Sequence, residues 1–577
     1  MVDHNDRSDT SRLLNDQPRV KVVKYILIVF TIILTRLLFG YDRGAIGGAS
    51  LGLLERGILT DAQYSELVSL PIFLAVAGGL FGGFLQNIRG RKVSMLFSAL
   101  TYGLGLILCV MLDKPNYTLL FMGRSISNFG FGMGHVTSLV YLLELTPPNM
   151  RGKVLVANQL VKPFGNSVSG LVNLAISKTL SSSNWRLMLG SSIIPCILQT
   201  LLIIPIPMSF KWLYTKDKLV KSRKEAEKLY EGLTTQQFKK LLDVEKEKDS
   251  LSTSSNSSVQ SMKKRPPKLN RNVVRRMVVV AIGLIIVGQL AGFSAVMYYS
   301  VQIGHTSGIV NGDDSTGAFL VSEGIFVANF IGVLISLLVI ERLGRRKLLL
   351  ISQIGTIFSI ALVVAAIAMV DSMAMNNNPW PKVVNPDCLV STCTLCVAQP
   401  GCGFCSVNTT LGSTGFCIDG NATRSIFDRC EDHGGEYCAS DCHSSSNIFL
   451  VVALLLFVIF FSVGLAPIPF VIAAEIFPQH LRDIFTSISI STYYSMTAIV
   501  TLVFGELYPV IGMEYVFVIF GILTSLGFLF VILLVPETKM NTPETMHELF
   551  TRPWFSRSVE YESISQNEED ENVYIDT

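Results

Sequence analysis

The chain has 577 residues, of which 50% are hydrophobic and 16% are charged, and its mean hydropathy is +0.47. This composition excludes an ordinary water-soluble enzyme and indicates a membrane protein with many spans. The net charge of +3 over so long a chain gives no sign of a nucleic-acid partner.

The N-terminal tail, residues 1–24, is polar and is predicted to be a disordered cytosolic segment. Asp9 stands four positions before the paired leucines Leu13 and Leu14, a spacing that resembles sorting signals for endosomal, lysosomal or vacuolar membranes. Where that signal is not used we expect the plasma membrane, so the sequence leaves the membrane open.

Twelve apolar segments follow, each long enough for a helix of about 20 residues to cross a bilayer. They predict an all-α polytopic fold with two six-span halves, at 25–207 and at 277–370 with 447–535. Lysine and arginine concentrate in the N-terminal tail and after spans 2 and 8, which places both termini in the cytosol. The spans lie near 25–48, 66–86, 93–112, 117–143, 154–177, 186–207, 277–300, 318–340, 348–370, 447–472, 484–508 and 514–535. We expect a cytosolic loop with short helices at 208–276 and an acidic cytosolic tail at 536–577.

The first span contains an acid, Asp42, within the sequence Phe-Gly-Tyr-Asp-Arg-Gly at 39–44. An aspartate in the hydrocarbon region costs several kcal/mol and needs a partner or a task. Arg124 in span 4 is expected at the same depth, about 10 Å below the outer surface at 1.5 Å per residue. The two predict either a protonatable switch or a structural ion pair.

Span 5 carries a polar stripe, because its polar residues recur every three or four positions and so share one helical face. Such a face does not point to lipid, and it lines either a water-filled cavity or a hydrogen-bonded seam. The stripe consists of Gln159, Lys162, Asn166, Ser169 and Asn173.

The second half also places polar and aromatic groups inside spans, and its glycines and prolines predict breaks in spans 7 and 10. Mixed amide, hydroxyl and aromatic groups suit a polyhydroxylated ring, and they suit other small polar solutes almost as well. The residues concerned are Gly288, Gln289, Gly292, Ser294, Tyr298, Tyr299, Asn329, Pro467, Pro469, Tyr493 and Tyr494.

The two halves repeat each other at their cytosolic corners. Gly-Arg follows span 2 at residues 90–91 and recurs after span 8 at 344–345, while Glu144 with Arg151 after span 4 matches Glu475 with Arg482 after span 10. Such internal duplication is typical of alternating-access transporters, whose substrate site lies at mid-membrane between the halves.

Nine of the eleven cysteines fall in the loop at 371–446, which the span count places outside the cytosol. Two Cys-x-x-Cys pairs are compatible with zinc, but an oxidising location favours disulfides. Sequons at Asn408 and Asn421 agree with an extracellular or lumenal, glycosylated module. The nine are Cys388, Cys393, Cys396, Cys402, Cys405, Cys417, Cys430, Cys438 and Cys442. Cys109 and Cys196 lie in spans and are expected to be packing residues.

Over nearly the whole chain these motifs resemble the sugar porter family of the major facilitator superfamily. The resemblance implies that Asp42, with Arg124, is the proton-coupling site, as in the symporters of that family. It also implies a cytosolic charge network that closes the outward-open state, formed by Glu144, Arg151, Arg91, Glu475, Arg482 and Arg345. The implied substrate-binding residues are Gln159, Gln289, Ser294, Asn329, Tyr298, Phe470 and Tyr494.

The cysteine-rich loop resembles the plexin–semaphorin–integrin-like insert of proton-coupled myo-inositol transporters. This similarity implies a proton symporter of myo-inositol or a related polyol, with the polyol or sugar, protons and the bilayer as partners. An extracellular protein or lipid that binds the loop is a further expected partner. The sequence shows no metal site, cofactor motif or hydrolytic triad, so we expect neither a cofactor nor an enzyme.

Departures from the family pattern keep other functions open. Gly288, Ser294 and Phe470 replace a glutamine, an asparagine and an aromatic that is usually tryptophan, while Arg36 and Lys162 add positive charge inside the membrane. Arg36 and Lys162 are expected to be substrate ligands or internal counter-ions. The alternatives are a transporter of hexoses or of an anionic sugar derivative with the same fold, and a non-transporting sensor or receptor.

Overall fold

Helices occupy every predicted span in the computed structural model of the chain. The structure describes residues 19–111, 116–146, 151–179, 184–235, 237–238, 242, 271–306, 316–374, 402–409, 412–419, 435–438, 447–477, 479–538 and 550–551. The sorting motif at residues 9–14, the sequon at Asn421 and most of the acidic tail lie outside these ranges.

The first half consists of five long helices and a sixth span divided in two. Side chains cap some of their amino ends: Thr60 and Gln63 form a reciprocal capping box before the second helix, and Asn116 accepts from the Thr118 N–H before the fourth. The helices are α1 (Val22–Glu55), α2 (Asp61–Arg89), α3 (Arg91–Val110), α4 (Tyr117–Leu145), α5 (Arg151–Thr179), α6 (Trp185–Gly190) and α7 (Ile193–Ile203).

Two short helices, α8 (Phe210–Thr215) and α9 (Leu219–Glu227), confirm the prediction of helices in the cytosolic loop. The predicted end of the N-terminal tail at residue 24 is wrong, because α1 already begins at Val22 and β1 (Arg19–Val20) pairs with β2 (Tyr230–Glu231). Helix α1 extends seven residues past the predicted end of span 1, to Glu55, and its residues Leu51 and Leu53 are buried inside the protein.

The second half contains the two predicted breaks. Gly292 adopts φ +81°, and a Cβ there would overlap the Phe520 ring, so the chain turns between α10 and α11 at a residue that only glycine suits. Pro467 is the N-cap of α16 and Pro469 is its second residue, positions at which a proline costs no helical hydrogen bond. The helices are α10 (Arg271–Leu290), α11 (Phe293–Tyr298), α12 (Ser300–Thr306), α13 (Thr316–Leu343), α14 (Arg345–Ala374), α15 (Asn447–Val463), α16 (Ile468–Ile476), α17 (Gln479–Ile511) and α18 (Met513–Leu534).

Within the described ranges, ten spans are long and apolar enough to cross a membrane by composition alone. The two other spans are α4 and α5, which are as long but carry many glycine, serine and asparagine residues. These two polar helices pack inside the bundle, α4 against α2 and α3, and α5 against α1 and α13. Gly40 makes the α1–α5 approach possible, because a Cβ there would overlap the Lys162 carbonyl oxygen. The halves meet where α2 packs on α17 and α5 packs on α13.

The cysteine-rich loop contains a three-stranded antiparallel sheet in the order β4-β3-β5. Its strands are β3 (Cys402–Thr409), β4 (Gly412–Asp419) and β5 (Gly435–Cys438). Cys405 is disulfide-bonded, as predicted. Both cysteines in the spans, Cys109 and Cys196, are free and buried, which agrees with their predicted packing role. Five of the predicted disulfide cysteines lie outside the described residues: Cys388, Cys393, Cys396, Cys430 and Cys442.

Candidate functional site

A cavity lies where the two halves meet, and both halves contribute to its wall. The first half supplies Arg36 from α1, and Gln159 and Lys162 from α5. The second half supplies Gln289, Asn329, Phe293, Phe461, Phe470 and Tyr493, together with the backbone of the break at 465–467. The cavity therefore contains polar donors on opposite walls with aromatic rings between them.

The two amides of the second half are held from behind by hydroxyl groups. The Gln289 Oε1 accepts from the Ser294 Oγ at 2.7 Å and from the Thr497 Oγ1 at 3.0 Å. The Asn329 Oδ1 accepts from the Ser462 Oγ at 2.9 Å. Because both amide oxygens are engaged, each side chain presents its N–H groups to a ligand oxygen.

Aromatic rings form apolar walls beside these amides. Phe293 stacks on Phe461 with ring centroids 4.2 Å apart, and Phe470 meets Tyr493 edge to face at 5.3 Å. A ring that carries hydroxyls at its edge and C–H groups on its face matches a wall of this kind, since the C–H face packs on aromatic surface.

The first-half wall of the cavity is basic. The Arg36 Nη2 donates to the Gln159 Oε1 at 2.8 Å, and its Nη1 contacts the His135 Nε2. The Lys162 Nζ donates to the Tyr493 hydroxyl at 2.7 Å and lies 4.9 Å from the centroid of the Phe39 ring.

An aromatic and cationic plug closes the cavity toward the side predicted to be outer. The Arg43 side chain is 1% exposed, and its guanidinium carbon lies 4.5 Å from the Tyr298 ring centroid and 5.6 Å from that of Phe39. Farther out, Tyr64 and Tyr299 pack edge to face at 6.0 Å, joining α2 to the break after α11.

The structure brings Asp42 and Arg124 together as the sequence predicts. The Arg124 Nη1 lies 2.7 Å from both carboxylate oxygens of Asp42, and the Tyr102 hydroxyl lies 3.4 Å from one of them. Asp42 is 4% exposed and Arg124 is 1% exposed, so the pair is shut off from solvent in this arrangement. On α1, Asp42 directly precedes Arg43 of the plug and follows the cavity residue Arg36 by six residues, or about 1.7 helical turns.

At the corner of the first half predicted to be cytosolic, the Arg91 guanidinium binds the Glu144 carboxylate with a shortest distance of 2.6 Å, and the Ser209 hydroxyl donates to the same carboxylate. In the second half, the Arg345 N–H donates to the Glu537 Oε1 at 2.9 Å, which caps α14. The side chains of Arg151, Glu475 and Arg482 lie outside the described residues, so the rest of the predicted charge network stays a prediction.

Three predicted substrate-binding residues do not reach the cavity wall. Ser294 supports Gln289 from behind, and Tyr298 belongs to the plug under Arg43. Tyr494 is fully buried and its hydroxyl meets the His135 Nδ1 at 3.0 Å, while its neighbour Tyr493 lines the cavity. Adjacent residues of an α-helix point about 100° apart, so only one of the two tyrosines faces inward.

The α5 stripe serves two purposes, whereas the sequence suggested a single one. Gln159 and Lys162 line the cavity, but Asn166, Ser169 and Asn173 are buried against neighbouring helices. The Asn173 Nδ2 donates to the Gly44 carbonyl of α1 at 2.8 Å.

Sequence reasoning missed two residues of this region, His135 beside the cavity and Glu323 at the interface of α5 and α13. Both are ionisable residues inside predicted membrane spans, and that property alone marks a residue for attention.

Comparisons with known proteins agree with this architecture. The sequence model of the family "Sugar (and other) transporter" matches residues 28–403 and 433–550. "Probable inositol transporter 2" of Arabidopsis thaliana is 30% identical over 544 residues, covering 91% of this chain and 90% of the relative. "Proton myo-inositol cotransporter" of Homo sapiens is 28% identical over 567 residues, covering 94% and 84%.

A solved structure of the xylose transporter XylE from E. coli, in a partially occluded inward-open conformation, superimposes with a TM-score of 0.65. It is 19% identical and covers 90% of this chain and 100% of its own. A second XylE structure, described as a major facilitator superfamily proton:xylose symporter, gives a TM-score of 0.63 at 20% identity. These likenesses show that this chain has the same fold as XylE.

Proposed function

The chain belongs to the sugar (and other) transporter family, and from that premise we propose that it is a proton-coupled symporter of myo-inositol or a related polyol. It is a multi-pass membrane transporter rather than an enzyme. Relatives that carry "inositol transporter" and "proton myo-inositol cotransporter" in their names support the substrate and the coupling ion.

The cavity supports a polyol as the substrate. Gln289 and Asn329 offer amide N–H groups to ring hydroxyls, while Phe293 and Phe470 offer apolar faces to ring carbons. Losing one such hydrogen bond weakens binding by about 1 kcal/mol, or roughly fivefold in affinity. A hexose carries the same groups, so a competition assay is needed to distinguish a hexose from inositol as the substrate.

The observation that carries the proton coupling is the buried ion pair of Asp42 and Arg124. Ionised Asp42 holds α1 against α4 through two short contacts with one guanidinium nitrogen. Protonation removes the charge attraction, so α1 is released. Because α1 also carries Arg36 in the cavity wall and Arg43 in the plug, its release couples proton binding to substrate access.

The test uses purified protein in liposomes, with and without an inward proton gradient, and labelled myo-inositol. We expect the gradient to drive accumulation by the wild-type protein. Asp42→Asn, which mimics the protonated form, is expected to retain exchange of substrate across the membrane and to lose accumulation. Asp61→Asn is the matched control, because Asp61 is exposed in the first turn of α2.

Uptake by the wild-type protein that only equilibrates myo-inositol, with or without the proton gradient, would replace symport by facilitated diffusion. Inositol binding without any uptake would favour the sensor or receptor instead.

A further inference from the structure

Two basic side chains line the cavity, and no described carboxylate contacts them. Arg36 contacts Gln159 and His135, and Lys162 contacts Tyr493 and the Phe39 ring. The Arg36 Nε is buried and finds no hydrogen-bond acceptor among the described residues.

Two acids of the first half are paired elsewhere: Asp42 binds Arg124, and Glu144 binds Arg91. Glu323 of α13 packs against α5 at Gly170 and does not line the cavity. Among the described residues that line the cavity there is no aspartate or glutamate. Arg43 adds a further cation just beyond the wall. Cations inside a membrane are expensive unless an anion or many hydrogen bonds balance them, so this region favours an anionic ligand.

The positions of the basic side chains define where an anion would bind. Gln159 and Lys162 are three residues apart on α5 and so share one face, and Arg36 of α1 reaches that face by its bond to Gln159. Guanidinium and ammonium groups therefore converge on one wall. The opposite wall carries the amide donors Gln289 and Asn329, which suit uncharged hydroxyls.

We propose that the transported substrate is a polyol ring bearing one anionic group, a carboxylate or a phosphate monoester, whose anion binds Arg36 and Lys162. This inference rests on the proposed function and narrows its substrate class. The ring hydroxyls bind the amide wall, and the anion accepts charge-assisted hydrogen bonds, which are stronger than neutral ones.

The first experiment compares competitors of myo-inositol exchange in liposomes that contain the full chain. The probes are D-glucuronate, myo-inositol 1-phosphate, their neutral parents D-glucose and myo-inositol, and inorganic phosphate alone. We expect at least one anionic polyol to compete about tenfold or more better than its neutral parent, from the added charged hydrogen bonds. The two anionic probes separate the carboxylate from the phosphate.

Variants then assign the anion to its ligands. Lys162→Gln is expected to lower the affinity for the anionic probe relative to that for myo-inositol about tenfold, and Lys162→Arg is expected to restore the ratio. Asn329→Ala should weaken anionic and neutral probes alike, because it removes a donor from the hydroxyl wall. Lys178→Gln is the matched control, since Lys178 is exposed at the far end of the same helix.

Electrical recording gives a second readout. Symport of one proton with a neutral polyol carries one positive charge inward, whereas one proton with a monocarboxylate carries none. Uptake of the carboxylate without current, beside inward current for myo-inositol, supports the proposal.

Competition by neutral polyols alone, with gradient-driven inositol uptake intact, overturns the inference and leaves the proposed function standing. Inorganic phosphate competing as well as myo-inositol 1-phosphate also overturns it, because the ring would then contribute nothing. Uptake of neither neutral nor anionic polyols overturns the proposed function together with the inference.

Discussion

Two side chains that line the cavity, Gln289 and Asn329, show how single hydroxyl groups define its chemistry. An amide can donate or accept, and the hydroxyls behind these two engage their oxygens. On the proposed function, Thr497 and Ser462 are positioning residues, because their hydroxyls set which end of each amide would meet a polyol hydroxyl.

The role of Thr497 leads to a test at the same scale. Thr497→Val keeps the shape of the side chain and removes the hydrogen bond to the Gln289 Oε1. We expect the affinity for myo-inositol to fall about three- to tenfold, measured by binding to purified protein, because the Gln289 Oε1 is then held by the Ser294 hydroxyl alone. Thr501→Val is the control: the Thr501 hydroxyl bonds only to carbonyls of its own helix, α17. Equal affinities in both variants would contradict the orienting role.

Helix α13 shows at the level of one element how the halves are held together. Its inner part gives Asn329 to the cavity, while Glu323, farther toward its outer end, lies against α5 at Gly170. Both carboxyl oxygens of Glu323 are buried, and no described residue gives them a hydrogen bond. This places an isolated acid at the interface between the two halves.

Glu323 should therefore reduce the stability of the arrangement seen here. Replacing a poorly paired buried ionisable group by an apolar one of similar size often stabilises a protein by about 1–4 kcal/mol. We expect Glu323→Met to raise the melting temperature of the purified transporter, measured in detergent by scanning fluorimetry. Glu506→Met replaces an exposed glutamate of α17 and should leave the melting temperature nearly unchanged. A lower melting temperature for Glu323→Met would mean that Glu323 has a stabilising partner.

Elements also set the limit of what the sequence could predict. The sequence predicts the positions of the spans and the breaks at Gly292 and Pro467, because the length of an apolar segment and the presence of glycine or proline determine local structure. The Asp42–Arg124 pair is predicted from the equal depth of the two residues in their spans. The sequence does not predict that α1 continues to Glu55 or that Tyr493 and Tyr494 have different roles. Both features depend on which neighbouring helices pack against these residues.

At the scale of the whole molecule, α1 links the parts that transport requires. Along one helix it carries Arg36 in the cavity, Asp42 in the ion pair and Arg43 in the outer plug. A change at the carboxylate can therefore reach both the substrate and the outer closure through one rigid element. Coupling of this kind is reciprocal, so substrate binding should also favour protonation of Asp42.

The contribution of the plug to closure of the outer side can be tested. In Tyr298→Ala the guanidinium of Arg43 loses the ring that lies 4.5 Å away, and a desolvated contact of this type is worth about 2 kcal/mol. The outer-closed arrangement should lose roughly that amount relative to the outward-open one, which increases the outward-open fraction up to about 30-fold while that fraction is small.

A cysteine at Gly47 reports the opening, because a Cβ there meets only the Tyr298 carbonyl oxygen, at an ordinary contact distance of 3.6 Å. Labelling of Gly47→Cys by a membrane-impermeant maleimide should therefore be faster in the Tyr298→Ala background. Tyr515→Ala, which removes an exposed ring of α18, is the matched background and should leave the labelling rate unchanged. Equal rates in the two backgrounds would show that the outer side is closed by other contacts, with the tyrosine pair of α2 and the α11 break the next to be tested.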